Sequence, residues 1–538
     1  MKIKALGAVR TVTGSSYRIE MDNGHKVLLD CGLFQGGRQT ELRNSNSDVY
    51  DPLELSAIVI THAHMDHSGL VPKLVKAGYS GPVYATKATC ELLEILWLDA
   101  ANIQEQEAVW KSRKNSRQGK GKVEPLYTED DARRSMLLLK PLAFEAPFEV
   151  VPGLTLRCFP AGHILGAASI HFTAEENGRS HKVVFSGDIG RTGQILMPDP
   201  EALPLADTVF METTYGNRDH KEMGPSIDEL IDIINEAARG GGKILIPAFA
   251  VERTQEILLL LAQAWHDKKI PQNIPIILDS PLATAASAIY ARHVDLFDKE
   301  SREFLADGIS QNILPSLKIT KDASESQKIN DINGPAIIIA GSGMANAGRI
   351  LHHLKHNLWR RECHVIFVGF QAQGTTGRRL VEGAEEVKIF REPVKVKAQI
   401  HTIGGFSGHA GRMELLTWLG RMYELNKDLT VNLIHGEESS TLAFQQEAGK
   451  LFPEAKFHVP YWLQYAALGD NIDPQAVTAD VQFPKDEQVA DSFRHRLDRL
   501  KEMAEDASRL SPDKMALAER YFAELEDLIA ASRPADEM

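Results

Sequence analysis

Three imidazoles and a carboxylate fall within six consecutive positions of the run Thr61-His62-Ala63-His64-Met65-Asp66-His67, directly after the apolar stretch 57–60. Four titratable side chains at the end of a strand would lose solvation unless something paired with them, and a divalent cation is the partner that suits these donors. In an extended segment His62 and His64 project to the same side, because side chains alternate with period two. Where the chain then turns into a helix, Asp66 and His67 address a neighbouring position. One segment thus offers two ligand pairs, suited to two metal ions ~3.5 to 4 Å apart. The remaining ligands must come from elsewhere, which ties the cluster to a fold that gathers several strand ends.

Two further donors stand directly after strand-like runs. His163 lies in Pro160-Ala161-Gly162-His163-Ile164-Leu165-Gly166, and Asp188 in Ser186-Gly187-Asp188-Ile189-Gly190, where the glycines let backbone approach closely. Either alone reads as a turn residue. Beside the histidine cluster they complete a site.

The first 200 or so residues alternate short β-like runs (26–30, 57–61, 83–85, 154–159, 168–172, 182–186) with Gly-rich turns, and helical patterns at 70–77 and 88–98 fall between them. That rhythm predicts an α/β sandwich of sheet layers covered by helices. From Thr208 the pattern lengthens to strand–helix alternation: strands at 209–212, 243–248, 274–279, 336–340 and 363–368, helices at 227–238, 254–265 and 348–358. This is the pattern of a parallel sheet with helices on both faces. The first style resumes at 399–403, 429–434 and 457–459, so the middle domain reads as an insertion. The expected division is 1–207 and 396–470 for the outer domain, 208–395 for the insertion, and 471–538 for a helical tail. In the tail Val489, Phe493, Leu497, Leu500, Met503, Ala507 and Leu510 recur at helical steps, and Ser511-Pro512 reads as an N-cap and first helical residue. It is expected to pack onto the body or onto a second copy of the chain in a homodimer.

Composition narrows the function classes. With 43% hydrophobic and 25% charged residues over 538 positions, the chain is neither disordered nor a coiled-coil rod. Its 60 basic and 73 acidic residues give a net charge of −13, so any nucleic-acid binding must use a local basic cleft or a metal. Cys31, Cys90, Cys158 and Cys363 are far apart and form no CxxC pair, which argues against a disulfide framework and a cysteine zinc site. No apolar run reaches ~18 residues and the start carries no apolar signal region, so a cytoplasmic protein without a membrane segment is expected. The basic stretch Lys111, Arg113, Lys114, Arg117, Lys120 and Lys122 reads first as a solvated loop, with a nucleic-acid contact as the alternative. His352, His353 and His356 fall on an expected helix where i, i+4 imidazoles can bind metal, but with no partnering carboxylate in their sequence neighbourhood they read first as an exposed or interdomain helix face.

Taken together, His62-x-His64-x-Asp66-His67, His163 and Asp188 resemble the metallo-β-lactamase fold hydrolases. The resemblance implies an αββα sandwich with one metal held by His62, His64 and His163, a second by Asp66 and His67, and Asp188 bridging both. Asp30, in Leu28-Leu29-Asp30-Cys31-Gly32, matches the family's ligand-orienting aspartate. Met211-Glu212-Thr213-Thr214-Tyr215-Gly216, Gly405-Phe406-Ser407-Gly408-His409-Ala410 and Leu433-Ile434-His435-Gly436-Glu437 are similar to motifs A, B and C of the β-CASP nucleases. On that likeness His435 completes the second metal site, His409 is the general acid, and Glu212 tunes it. Further segments of the same kind are Pro247-Ala248-Phe249-Ala250-Val251-Glu252-Arg253-Thr254-Gln255, Gly341-Ser342-Gly343-Met344 and Gly369-Phe370-Gln371-Ala372-Gln373-Gly374-Thr375. From them Arg253, Ser342, Gly343 and Thr375 are candidate substrate contacts, the glycine-flanked Ser342 offering backbone N–H groups to a phosphate. Motif B departs from its usual Ser-Ala-His-Ala-Asp at Gly408 and Gly411, which removes one carboxylate and leaves the metal ligands intact.

The resemblance implies a ribonuclease with two Zn²⁺ ions per chain, a metal-bridging hydroxide as nucleophile and single-stranded RNA as substrate. Three alternatives remain open from sequence: a DNA-directed β-CASP nuclease, a small-substrate metallo-hydrolase such as a β-lactamase or thioester hydrolase, and a non-catalytic RNA-binding protein. The inserted domain argues against the second and the complete set of seven ligands against the third.

Overall fold

A computed structural model describes residues 1–306, 314–372 and 374–468, so the expected tail helices lie outside the described residues. Six strands form the first sheet in chain order: β1 (Lys2–Ala5), β2 (Tyr17–Glu20), β3 (Lys26–Leu29), β4 (Leu55–Val59), β5 (Val83–Thr86) and β6 (Leu139–Leu142). Pairing is antiparallel from β1 to β3 and parallel from β3 to β6. A second sheet begins with β7 (Phe148–Val151), β8 (Leu154–Pro160), β9 (Ala168–Glu176), β10 (Arg179–Phe185) and β11 (Thr208–Glu212). The chain then builds an all-parallel third sheet from β12 (Lys243–Pro247), β13 (Ile276–Leu278), β14 (Leu317–Ile319), β15 (Ala336–Ala340) and β16 (His364–Phe367). A hairpin of β17 (Glu386–Ile389) and β18 (Glu392–Lys395) follows, and β19 (Gln399–Thr402) closes the third sheet against β16. Finally β20 (Thr430–Ile434) and β21 (Lys456–His458) return to the second sheet, beside β11.

Packing follows from how each strand is patterned. Strands β12 and β15 are buried at every position (KILIP and AIIIA), as a parallel strand covered on both faces must be. The first two sheets instead face each other, with Tyr17, Ile19, Val27 and Val59 meeting Leu156, Ile170, Phe172 and Phe185 in one core. Their outer faces are covered by helices. Leu92, Leu93 and Trp97 of the helix Lys87–Ser116 pack on Leu28 and Ile58, while Leu416, Leu419 and Phe444 of two later helices pack on Val184 and Val209. The architecture is therefore an αββα sandwich carrying an inserted parallel α/β layer.

Sheet membership differs from the sequence reading at both edges of the insertion. Strand β11, expected to open the inserted domain, pairs with β10 and β20 in the second sheet, and β19, expected to mark the return, belongs to the third. β11 is fully buried and leads into a helix, so it has the local look of a βαβ strand; β19 is a half-polar edge strand. The expected loop at 111–122 is also helical as far as Ser116, because the helix that begins at Lys87 runs for 30 residues through good helix formers. Among the described residues no helix is long and apolar enough to cross a membrane.

Candidate metal centre

Open α/β sheets place ligands beyond the carboxyl ends of their strands, and the predicted ligands gather there. Asp30 follows β3, His62 follows β4 by three residues, Asp188 follows β10 by three, Glu212 ends β11, and His435 follows β20. Asp30 (φ +55°) and His435 (φ +44°) hold left-handed backbone, which Asp and His adopt more readily than most side chains. After His64 the chain enters the one-turn helix Met65–Ser68, which turns Asp66 and His67 toward a different point from His62 and His64.

The side chains converge as two donor sets. His62, His64, His163 and Asp188 place ligand atoms within 4.8 Å of one another, and so do Asp66, His67 and His435. Within the first set, His64 Nδ1 lies 3.2 Å from both His62 Nε2 and His163 Nε2. Within the second, His67 Nε2 lies 3.2 Å from His435 Nε2. Asp188 stands between them, Oδ2 3.5 Å from His62 Nε2 and Oδ1 3.3 Å from His67 Nε2.

The far nitrogens are anchored. His67 Nδ1 donates to Asp30 Oδ2 at 2.7 Å and His163 Nδ1 to the Gly408 carbonyl at 2.7 Å; His62 Nδ1 meets Thr61 Oγ1 at 3.1 Å and His435 Nδ1 meets Thr214 Oγ1 at 3.2 Å. Asp30 is itself fixed by the Thr61 N–H (2.8 Å) and hydroxyl (3.0 Å), so it sits behind His67 and orients it. Asp188 Oδ1 is buried and has no hydrogen-bond partner. An orphaned carboxylate oxygen facing imidazole nitrogens that point at one another is the donor chemistry that divalent cations satisfy, so the residues fit a two-metal site.

Electrostatics agree with ligation except at His67, where burial opposes protonation but the Asp188 and Asp30 carboxylates raise the ring well above the usual imidazole range. Burial holds His62 and His163 well below the usual imidazole range and His64 down to about 4, so these rings are neutral. Burial opposes ionisation of Asp188 and Asp66 too, yet the surrounding imidazoles outweigh it and hold both carboxyls well below their ordinary range. His409 differs. Burial opposes its protonation, but the Glu212 and Asp188 carboxylates prevail and raise it to about 10.

His409 stands beside the donor sets, its ring centroid 4.5 Å from that of His163 and its Nδ1 3.3 Å from Glu212 Oε1. Glu212 is fully buried and also accepts from the Ile189 N–H (2.6 Å) and the Thr214 N–H (3.3 Å). The two glycines of motif B have neighbours that local sequence does not reveal. A Cβ at Gly408 would come 2.9 Å from Glu252 Oε2, and one at Gly411 would come 3.2 Å from Asp219 Oδ1. Glu252 is 5% exposed, holds φ +68°, and burial raises its carboxyl to about 7 against the pull of Arg253 and His409. Sequence reasoning missed it; its only local signal was a glutamate in the segment 247–255.

The predicted substrate contacts are more dispersed in role. The Arg253 guanidinium is buried and ion-paired with Glu256. Thr375 caps the helix Thr376–Val381, accepting from the Arg378 N–H and donating to the Ala372 carbonyl, so its hydroxyl is already engaged. Ser342 Oγ accepts from the N–H groups of Asn346 (3.3 Å) and Ala347 (3.4 Å), and Gly343 lies flat against the half-exposed Phe249 ring. The nearest helix downstream starts only at Ile350, so the Ser342 loop is not itself a helix N-terminus. The carboxylate that the 352–356 histidine cluster lacked in sequence is Asp279, whose Oδ2 lies 2.6 Å from His353 Nε2.

Comparison with known proteins places these observations. Three family descriptions match the chain: Metallo-beta-lactamase superfamily over residues 9–233, Beta-Casp domain over 254–380, and Zn-dependent metallo-hydrolase RNA specificity domain over 393–458. Ribonuclease TTHA0252 of Thermus thermophilus is 39% identical over 443 residues, 82% of this chain and 95% of its own length. Transcription termination factor FttA of Methanocaldococcus jannaschii is 30% identical over 85% of this chain and 70% of its own, and the FttA of Thermococcus kodakarensis is 32% identical over 84% and 69%.

Proposed function

The chain belongs to the β-CASP family of metallo-β-lactamase fold hydrolases, and from that membership we propose that it hydrolyses phosphodiester bonds of single-stranded RNA in processing or decay. The observation that carries this reading is the convergence of two donor sets on Asp188 with the His409–Glu212 pair alongside. The match to an RNA specificity domain and a relative named as a ribonuclease support RNA over DNA. Imidazole and carboxylate donors suit zinc, two ions per chain. When bound, such ions would supply charge neutralisation for the phosphodiester and a more acidic water.

The chain's own residues then have distinct tasks. His62, His64 and His163 would hold one ion and Asp66, His67 and His435 the other, with Asp188 within reach of both sets. Asp30, Thr61, Thr214 and the Gly408 carbonyl keep the rings aimed. Protonated His409, its charge held by Glu212, donates a proton to the leaving oxygen. Ser342 and Gly343 are the better candidates for holding a substrate phosphate, since Arg253 and Thr375 are engaged inside the fold. For domain limits we take the outer domain to include β11, β20 and β21, and the insertion to run from β12 to β19. A cytoplasmic setting suits four cysteines that are all buried and unpaired.

The test is digestion of 5′-labelled RNA beside DNA of the same sequence, with monophosphate and triphosphate ends compared. RNA-specific cleavage supports the reading, equal cleavage shifts it to a general nuclease, and intact RNA overturns it.

A further inference from the structure

The basic stretch after Trp110 is a built feature. Ser112 Oγ donates to the Val123 carbonyl (3.2 Å) and accepts its N–H (2.8 Å); Asn115 Nδ2 donates to the Gly121 carbonyl (3.1 Å), and the Lys120 N–H donates to the Asn115 carbonyl (2.9 Å). These bonds strap 117–123 back onto the end of the helix Lys87–Ser116. The resulting lobe exposes Arg113, Lys114, Arg117 and Lys120, none of which forms a salt bridge among the described residues. Its flanking lysines, Lys111 and Lys122, are paired with Glu107 and Glu124.

Trp110 stands at the base of the lobe, 52% exposed, with Lys114 Nζ 5.7 Å and Arg391 Cζ 5.6 Å from its ring centre. Arg391 comes from the other domain. With Phe390 it forms the two-residue turn between β17 and β18, and both residues hold positive φ, +68° and +49°. Turns of that kind favour Asn and Gly, because a side chain at positive φ is strained. A Phe-Arg pair in this turn is held against its preference, and burial does not explain it: Phe390 is 48% exposed, resting on His352 at 4.5 Å. The strain is kept although both side chains stay exposed, each resting on a single ring, and strained positions of this kind cluster at functional sites.

We infer that Trp110, Phe390 and Arg391, together with the 113–120 lobe, form a docking platform for an unpaired RNA strand that shares no residue with the metal centre. Exposed aromatic rings stack bases without regard to sequence, and the surrounding cations hold backbone phosphates. On a chain of net charge −13, an unpaired basic lobe beside two exposed rings is where a polyanion meets complementary charge. The inference rests on the ribonuclease reading for its choice of ligand.

The experiment measures binding of fluorescein-labelled oligouridylates of 30 and 8 nucleotides to the full chain by anisotropy, with cleavage followed separately. The platform predicts that Trp110→Ala combined with Arg391→Ala weakens 30-mer binding roughly tenfold, the loss of about one stacked base and one phosphate contact. Trp110→Phe should retain most of the affinity. Arg113→Gln with Lys114→Gln and Arg117→Gln should reduce the salt dependence of 30-mer binding by up to about three phosphate contacts. Cleavage of the 8-mer should not change in any of these variants. Wild-type affinity and salt dependence in all of them would overturn the platform, as would polyglutamate displacing the 30-mer as well as unlabelled oligouridylate of equal charge. A wild-type chain that cleaves no RNA but whose 30-mer binding depends on Trp110 would overturn the nuclease reading and sustain the platform.

Discussion

His409 Nδ1 lies 3.3 Å from Glu212 Oε1, joining the loop after the inserted domain to the last residue of β11. Glu212 also accepts two backbone N–H groups, which hold it in place, and its charge favours the protonated imidazole. Glu212→Gln removes that charge, so His409 should lose its proton at lower pH. The alkaline limb of the kcat profile is expected to move down by about 1 unit or more. His409→Ala should lower kcat by roughly 10² to 10⁴ with metal content unchanged. A shared loss of metal in both variants would assign the pair to ligation instead of proton transfer.

Asp30 touches no predicted substrate position, yet it fixes His67. Asp30→Asn presents an N–H where His67 and Thr61 need an acceptor, and metal affinity should fall about 10- to 100-fold. Titration with a zinc-competing chelator measures this directly. At saturating zinc much of the activity should return.

Gly408 and Glu252 share one space. Gly408→Ala pushes a methyl to within 2.9 Å of the Glu252 carboxylate and should cost about 1 to 3 kcal/mol. Glu252→Gly empties that space and relieves the +68° backbone, so the double variant should be more stable than the sum of the single changes predicts. Thermal unfolding of the four proteins reads the coupling; strict additivity would show that the two residues do not compete.

Asp279 anchors the inserted domain away from the metal centre. Its carboxylate accepts from Thr320, Ser326, Arg349 and His353, and although burial opposes ionisation, these bonds hold it well below the ordinary carboxylate range. A depressed carboxyl contributes stability that is present above its unfolded pKa and lost as pH falls through its folded one. Asp279→Asn should therefore destabilise the chain by roughly 3 kcal/mol at neutral pH, with the gap to wild type closing below pH ~4. Denaturant melts at both pH values check this.

Six candidate metal ligands (His62, His64, Asp66, His67, His163 and Asp188) are legible because each stands in a histidine-rich run or at a strand end marked by glycine, whereas His435 is legible only through likeness to a known motif. His409 and Glu212 were legible only through likeness to known motifs. What sequence could not show was pairing across distance. His353 meets Asp279 from 74 residues away, Glu252 fills the space left by Gly408, and Trp110 meets Arg391 from the other domain. The edges of the insertion were obscured for the same reason. A buried strand looks alike in either sheet, and only its hydrogen-bonded neighbours assign β11 to the second sheet and β19 to the third.

RNA hydrolysis powered by the donor sets that meet at Asp188 is the proposed activity. It is tested most directly by following cleavage of a 5′-labelled single-stranded RNA by the purified chain, after chelation and after zinc is restored, beside Asp188→Asn. Cleavage is expected from the zinc-restored wild type, with none after chelation and none by the variant at any zinc concentration. Cleavage that survives chelation, or an Asp188→Asn variant as active as wild type, would contradict it.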